Sequence, residues 1–264
     1  MAEKLIIAKS VEEAVAAKTT DNVYIAGGTE AMRLGTSVVA DSFVSLRRIP
    51  VMHEVRVSDT TISIGAACTF QELLDSSSVP AYLKEALLFM ASRTRRNMAT
   101  IGGNIAVCRD DSFLVPTLLA AGAKLNLVEE SGETRTLGLE EYIAGRKQYK
   151  GALILSILVP IRAAVKTVRS ANTAQSHARL TAALGLNEGK YYAVAAIKNY
   201  GLVKFGTLMA KLSEGSDLSE DEIVERLKND PKIALEDDRL YGGAAYRKYL
   251  LGITFAQMYE ELKG

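Results

Sequence analysis

Cysteine, histidine and tryptophan are nearly missing from this chain: its 264 residues include two Cys, two His and no Trp. Cys68 and Cys108 are too few to supply the four thiolates of an iron–sulfur cluster. His53 and His177 do not stand in metal-ligand spacing, so no protein-bound metal is expected. An excess of one charge is missing too. Lys and Arg number 32 against 31 acids, a net charge of +1, and no basic stripe marks a nucleic-acid surface. Apolar runs such as Leu114 to Ala123 are too short to span a bilayer. The opening Met-Ala-Glu-Lys lacks the apolar core of a signal peptide, so a cytoplasmic location with reduced thiols is expected. Neither a Walker A loop nor a Gly-x-Gly-x-x-Gly turn is present. No constellation of nucleophile, acid and base stands out, so no catalytic side chain is assigned.

What is present is a pair of short glycine-rich segments. Ala26-Gly27-Gly28-Thr29-Glu30 follows the apolar run Val23-Tyr24-Ile25. Ala99-Thr100-Ile101-Gly102-Gly103-Asn104 follows Arg95-Arg96-Asn97. Glycine lets a backbone turn tightly and approach a ligand closely. Successive N–H groups in such turns form an anion-binding nest. Two nests suit the diphosphate of a dinucleotide. Each segment alone also reads as an ordinary turn, Glu30 as the first turn of a helix, and Asn104 as a turn residue bonded to its own backbone. Arg93, Arg95 and Arg96 read either as a solvated helix end or as a phosphate partner or subunit interface.

Local signals give the order of elements. Ser10 with Glu13, Thr69 with Glu72 and Ser219 with Glu222 are capping boxes that open helices. Pro80 opens a helix to about Ser92, and a further helix covers about Phe113 to Ala121. Short strands are read at Val23–Ala26, Phe43–Leu46, Val55–Val57, Thr61–Ala66, Lys124–Val128, Thr134–Leu137 and Ala152–Val159. Beyond Pro160 the strands are Thr167–Ser170, Leu180–Leu186, Tyr191–Asn199 and Val203–Lys211. A last helix runs from about Gly243 to Leu262. The expected fold class is α+β, in three packed parts: 1–52, 53–161 and 162–264.

With these residues in view, the chain resembles the FAD-binding subunit of the molybdenum hydroxylases, the xanthine dehydrogenase and carbon monoxide dehydrogenase family. Ala26-Gly27-Gly28-Thr29-Glu30 looks like that family's first flavin loop, and Arg96-Asn97-x-x-Thr100-Ile101-Gly102-Gly103-Asn104-Ile105 like its second. Pro116, Leu118 to Ala123, Leu155 to Pro160 and Tyr246-Arg247-Lys248 carry the match onward. The resemblance implies a PCMH-type FAD-binding fold: two α+β subdomains clamping FAD, then a C-terminal domain with an antiparallel sheet and helices. It implies that the backbones of Gly27, Gly28, Thr29 and Glu30 hold the diphosphate from one side, with Ala26 beside them among the cofactor-binding residues. Thr100, Gly102, Gly103 and Asn104 hold it from the other, and Ile25 and Ile101 flank the nucleotide.

Two departures accompany the match. Phe113 stands where many relatives have an acid near the flavin, and the acids here are Asp110 and Asp111, read as flavin-near groups or as a solvated loop. A similar acid pair among purine-type hydroxylases points to an N-heterocycle as the complex's substrate. The run Arg179 to Leu184 lacks the acid that relatives carry near the nicotinamide face. The implied role is electron transfer, with iron–sulfur and molybdenum-cofactor subunits as partners and NAD or ferredoxin as acceptor. The alternatives are a self-contained flavoenzyme of the same fold and a non-catalytic assembly subunit that has lost FAD.

Overall fold

The structure, a computed structural model, describes residues 4–36 and 38–263. Met1 to Glu3, part of the opening read above, lie outside the described residues. Along the chain come β1 (Lys4–Ile7), α1 (Val11–Ala16), β2 (Asn22–Ile25), β3 (Ser42–Ser45), a 3-10 turn at Pro50–His53, β4 (Val55–Val57), β5 (Thr61–Gly65) and α2 (Phe70–Asp75). Next are α3 (Ala81–Leu88), α4 (Arg93–Arg96), α5 (Ile101–Val107), α6 (Val115–Ala120), β6 (Lys124–Val128), β7 (Thr134–Gly138), α7 (Leu139–Ala144) and β8 (Leu153–Pro160). The remainder is β9 (Ala164–Ser170), β10 (Leu180–Asn187), β11 (Lys190–Ile197), β12 (Gly201–Lys204), α8 (Gly206–Ser213), α9 (Glu220–Lys228) and α10 (Ala244–Lys263).

Contacts group the chain into two compact units. One holds residues 1–79, 92–108 and 123–161, and the other residues 80–91, 109–122 and 162–264. Thus α3 and α6, which lie within 53–161 in the sequence, group with the C-terminal sheet.

The first unit contains two sheets. In the smaller, β3 lies between β1 and β2 and is parallel to both. Parallel neighbours need a long crossover. The β2-to-β3 crossover is the first glycine segment and its continuation, which turn rather than form a helix. The larger sheet is antiparallel in the order β4-β5-β8-β6-β7. β5 ends at Gly65, where a Cβ would lie 2.3 Å from the Met52 carbonyl oxygen. The chain after β5 pairs with the second glycine segment. Phe70 N–H donates to Ala99 O at 2.9 Å, Ile101 N–H to Cys68 O at 3.1 Å and Gly102 N–H to Ala66 O at 2.9 Å.

The second unit is built on the antiparallel sheet β12-β11-β10-β9. Leu180, Ala182 and Leu184 of β10 and Ala193, Ala195 and Ile197 of β11 join a core with Phe205, Leu212, Ile223 and Phe255 from α8, its approach, α9 and α10. The alternate residues Thr181, Ala183, Val194 and Ala196 are equally buried on the opposite face, toward α6. There Gly185 is required by close approach, since a Cβ would lie 2.0 Å from Ala120 O. Small residues at every second position thus let helices cover both faces.

Three expectations change. The strand read over Val203–Lys211 is a short strand ended at Lys204 followed by helix α8, whose Leu208 and Leu212 are buried on one side at i, i+4 spacing. Residues 101–104, read as part of a turn, are instead the start of helix α5, with Thr100 as N-cap. At the first capping box, Ser10 Oγ accepts Glu13 N–H, but the Glu13 carboxylate takes Lys9 N–H instead of that of Ser10. The Thr69 and Ser219 boxes are complete. Among the described residues no helix is long and apolar enough to cross a membrane.

Candidate functional site

A cleft of about 410 Å³ in the first unit is lined by both glycine segments. Ala26 and Gly27 come from the first, and Asn97, Met98 and Thr100 from the second and its approach. The cleft lies where β2 gives way to its crossover, off the carboxyl end of a parallel strand, the usual position for a ligand in such sheets. Gly27 holds the two segments together. A Cβ there would lie 1.7 Å from Met98 O, so only glycine permits this approach. Gly28 adopts φ +72°, a left-handed conformation that glycine enters without strain.

The segments differ in what their backbone donors do. Among the described residues, the N–H groups of Gly27, Gly28 and Thr29 donate to no protein acceptor. In the second segment the donors are engaged. Ile101 and Gly102 bond to the strand end at Cys68 and Ala66, Gly103 N–H donates to Thr100 Oγ1 at 3.2 Å, and Asn104 N–H to Thr100 O at 3.0 Å. What Thr100 still offers is its own N–H, outside this pairing, and its hydroxyl hydrogen.

Of the other residues singled out in the sequence, Ile25 and Thr29 are half-buried beside Gly28, with Ile25 Cδ1 3.4 Å from a Cβ placed there. Ile101, the first residue of α5, is fully buried. Its expected place against the nucleotide therefore gives way to a core role. Glu30 sits in a turn rather than in a helix, its carboxylate 2.8 Å from Arg33. Asn104 lies in the first turn of α5, half-buried, a helical rather than a turn residue.

Asp110 and Asp111 do not line the cleft; their carboxylates have partners in the second unit. Asp111 is buried rather than solvated, 2.7 Å from Arg109 Nε and 2.6 Å from His177 Nδ1. Burial alone would raise its carboxyl, but the Arg109 guanidinium, the Lys198 ammonium and the His177 bond outweigh that and hold it at about 2. Asp110 accepts Lys198 Nζ at 2.7 Å and Asn199 N–H at 3.0 Å.

Three contributors to the cleft escaped the sequence reading. Arg47 and His53 follow β3, and Thr69, Gln71, Glu72 and Asp75 come from α2 and its N-cap. His53 Nε2 lies 3.1 Å from Arg47 O, which ties the segment between them. Glu72 is engaged in its capping box, its carboxylate taking Thr69 N–H at 2.7 Å and the Thr69 hydroxyl at 2.9 Å. Burial pushes the Cys68 thiol up to about 11 and raises that of Cys108, so neither is a ready nucleophile. Among the described residues no group of His, Cys, Asp and Glu is placed to hold a metal ion.

Comparison with known proteins agrees with this geometry. The chain is 29% identical over 99% of its length to the uncharacterized protein YgfM of Escherichia coli K12, covering 96% of that protein. It is 32% identical to xanthine dehydrogenase/oxidase of Gallus gallus over 42% of this chain, but spans only 9% of that enzyme. Its fold is that of a chain of carbon monoxide dehydrogenase from Hydrogenophaga pseudoflava, with a TM-score of 0.83 at 21% identity over 98% of this chain and 96% of that one. It is likewise that of a chain of quinoline 2-oxidoreductase from Pseudomonas putida 86, with a TM-score of 0.82 at 19% identity over 99% and 97%. Residues 1–162, which carry both glycine segments and the cleft, match the family described as the FAD binding domain in molybdopterin dehydrogenase. The chain belongs to that family, whose cofactor is FAD.

Proposed function

We propose that this chain is the electron-transferring FAD subunit of a multi-subunit molybdenum hydroxylase. One observation carries the reading: a single cleft is bordered by Gly27 and Thr100, and the N–H groups of Gly27 and of the adjoining Gly28 and Thr29 donate to no protein acceptor among the described residues. Such donors suit a diphosphate, and Gly27 cannot carry a side chain without filling the approach between the segments. These residues fit the cofactor of the family.

Bound FAD would supply the capacity to accept and pass on electrons singly or in pairs. The protein's part is to bind and orient. Gly27, Gly28 and Thr29 present backbone donors to the phosphates, and the Thr100 hydroxyl, fixed by the Gly103 N–H, presents a further hydrogen. Gly102 and Gly103 act differently, as the means by which α5 and Thr100 are brought against the strand end. Glu30 and Asn104 border these groups and complete the proposed set, with Ala26 and Ile25 behind them. Asp110 and Asp111 enter it only as the carboxylates nearest in sequence to Phe113. In this reading, electrons arrive from iron–sulfur centres of a partner subunit and leave to NAD or ferredoxin. The organic substrate, an N-heterocycle, is oxidised at a molybdenum centre in another partner. The division into parts 1–52, 53–161 and 162–264 is proposed with it, each range containing one of the three sheets.

The test is direct. The purified full-length chain is incubated with FAD, desalted and its visible spectrum recorded, and the same is done for the chain co-purified with its partners. Retained flavin absorbance is the expected result. Colourless protein in both preparations overturns the reading and favours an assembly subunit. Turnover of an organic donor by the isolated chain would favour a self-contained flavoenzyme.

A further inference from the structure

We infer that Arg47 and Arg93 supply the counter-charge for the diphosphate of the bound dinucleotide, an inference that rests on the FAD reading above. A diphosphate diester carries a negative charge on each phosphate. Neutral backbone donors satisfy its oxygens but do not cancel its charge. The second glycine segment contributes little in their place, since the N–H groups of residues 101–104 bond within the protein.

Arg47 and Arg93 line the same cleft as Gly27 and Thr100. Both are exposed, and neither side chain makes a hydrogen bond or ion pair with the protein among the described residues. The acids on the cleft wall are occupied, Glu72 by Thr69 and Asp75 by the Gln71 amide at 2.9 Å. Those carboxylates are held by neutral donors and form no ion pair with Arg47 or Arg93, which leaves both guanidinium groups open. Arginine suits the role, because its planar fork meets phosphate oxygens in pairs and stays charged at any working pH. Their placement has a local cause. Leu46 N–H donates to Ile25 O at 2.9 Å, which sets Arg47 beside the exit of β2. Ser92 caps α4, so that Arg93 begins the helix leading to the second segment. Arg48 and Arg95, their neighbours in sequence, do not line the cleft.

The test titrates the full-length chain with FAD and, separately, with riboflavin, which has the ring but no phosphate, at low and high salt. Flavin fluorescence reports binding. Arg47→Gln and Arg93→Gln are each expected to weaken FAD binding by about tenfold, and the double variant by about a hundredfold. Riboflavin binding stays unchanged and the salt dependence of FAD binding becomes shallower. Arg48→Gln and Arg95→Gln serve as matched controls, and thermal melting shows that each variant folds. The inference is overturned if the double variant binds FAD within about twofold of the unmodified chain. It is overturned equally if the controls weaken binding as much, or if riboflavin weakens in step with FAD. If the unmodified chain binds no FAD, alone or with its partners, the FAD reading itself fails and this inference falls with it.

Discussion

The two glycine segments look alike in sequence and do opposite work. In the first, Gly28 turns the chain with φ +72° and leaves backbone donors unengaged. In the second, Gly102 lets a helix start press on a strand end, and every donor from Ile101 to Asn104 has a protein acceptor. One pair of glycines keeps polar backbone available; the other removes a side chain so that two backbones can meet. Glycine serves both needs because it lacks a Cβ, and the dipeptide Gly-Gly alone does not say which need applies.

The largest effect that separates them is on stability. A Cβ at Gly102 would lie 2.6 Å from Ala66 Cβ and 2.8 Å from Ala66 O, a clash with backbone that no side-chain rotation relieves. Gly102→Val should destabilise the chain by about 3 kcal/mol, as overpacking of a closed contact does. Gly103→Ala next to it meets only Thr100 Oγ1 at 2.8 Å and should cost much less. Urea unfolding of both variants checks this. Equal, small losses would mean that the second segment is as open as the first.

The structural character continues along the chain to Asp111. Its carboxyl sits at about 2 in the folded protein, against about 3.9 for an unfolded Asp. A lowered folded value stabilises the fold at pH above the unfolded value. That stabilisation begins to fade as pH falls below about 4 and is gone below about 2. It amounts to about 2 kcal/mol. Asp111→Asn should therefore be less stable at pH 7 by about this amount, and the gap to the unmodified protein should close as the pH is lowered from 4 to 2. A gap independent of pH would show that Asp111 is not held ionised by Arg109, Lys198 and His177.

Much of this architecture was legible where the signal is local. The Thr69 and Ser219 capping boxes act within a few residues, and both stand as read. The family match likewise rests on contiguous motifs. What stayed hidden depends on distant partners. Val203 to Lys211 is apolar enough for either a strand or a helix, and the burial of Leu208 and Leu212 on one side of α8 decides. Ile101, which the resemblance sets against the nucleotide, has a fully buried side chain. Tyr246 and Tyr249 are each 50% exposed, while Arg247 between them is buried against the carbonyls of Lys198 and Glu236. Arg47 carried no motif at all. The pairing of β3 with β2, continued by the bond from Leu46 N–H to Ile25 O, sets it beside the cleft.

The next effect tests the link between the segments. Thr100 Oγ1 caps α5 through Gly103 N–H. Thr100→Ala should cost about 1 kcal/mol of stability, the usual loss for such a cap, while Thr100→Ser should cost less. If the hydroxyl also meets the ligand, FAD affinity falls in the Ala variant and returns in the Ser variant. Loss of stability without loss of affinity would assign Thr100 to the scaffold alone.

The smallest effect on the fold should come from Gly28→Ala, and it bears on the contrast most directly. No atom lies within 3.4 Å of a Cβ at this position, so nothing is overpacked. The cost is backbone strain, about 1 kcal/mol for holding Ala at φ +72°, and the loop can relieve part of it by relaxing. Relaxation would rotate the N–H groups of Gly28 and Thr29 away from their present directions. Unfolding free energy should thus change by less than for Gly102→Val, while FAD affinity falls further than the strain alone explains. Gly102→Val and Gly28→Ala, read side by side in urea unfolding and in FAD titration, should reverse their rank between the two measurements. If both rank the variants in the same order, the two segments share one role, and the distinction between open and engaged backbone donors is lost.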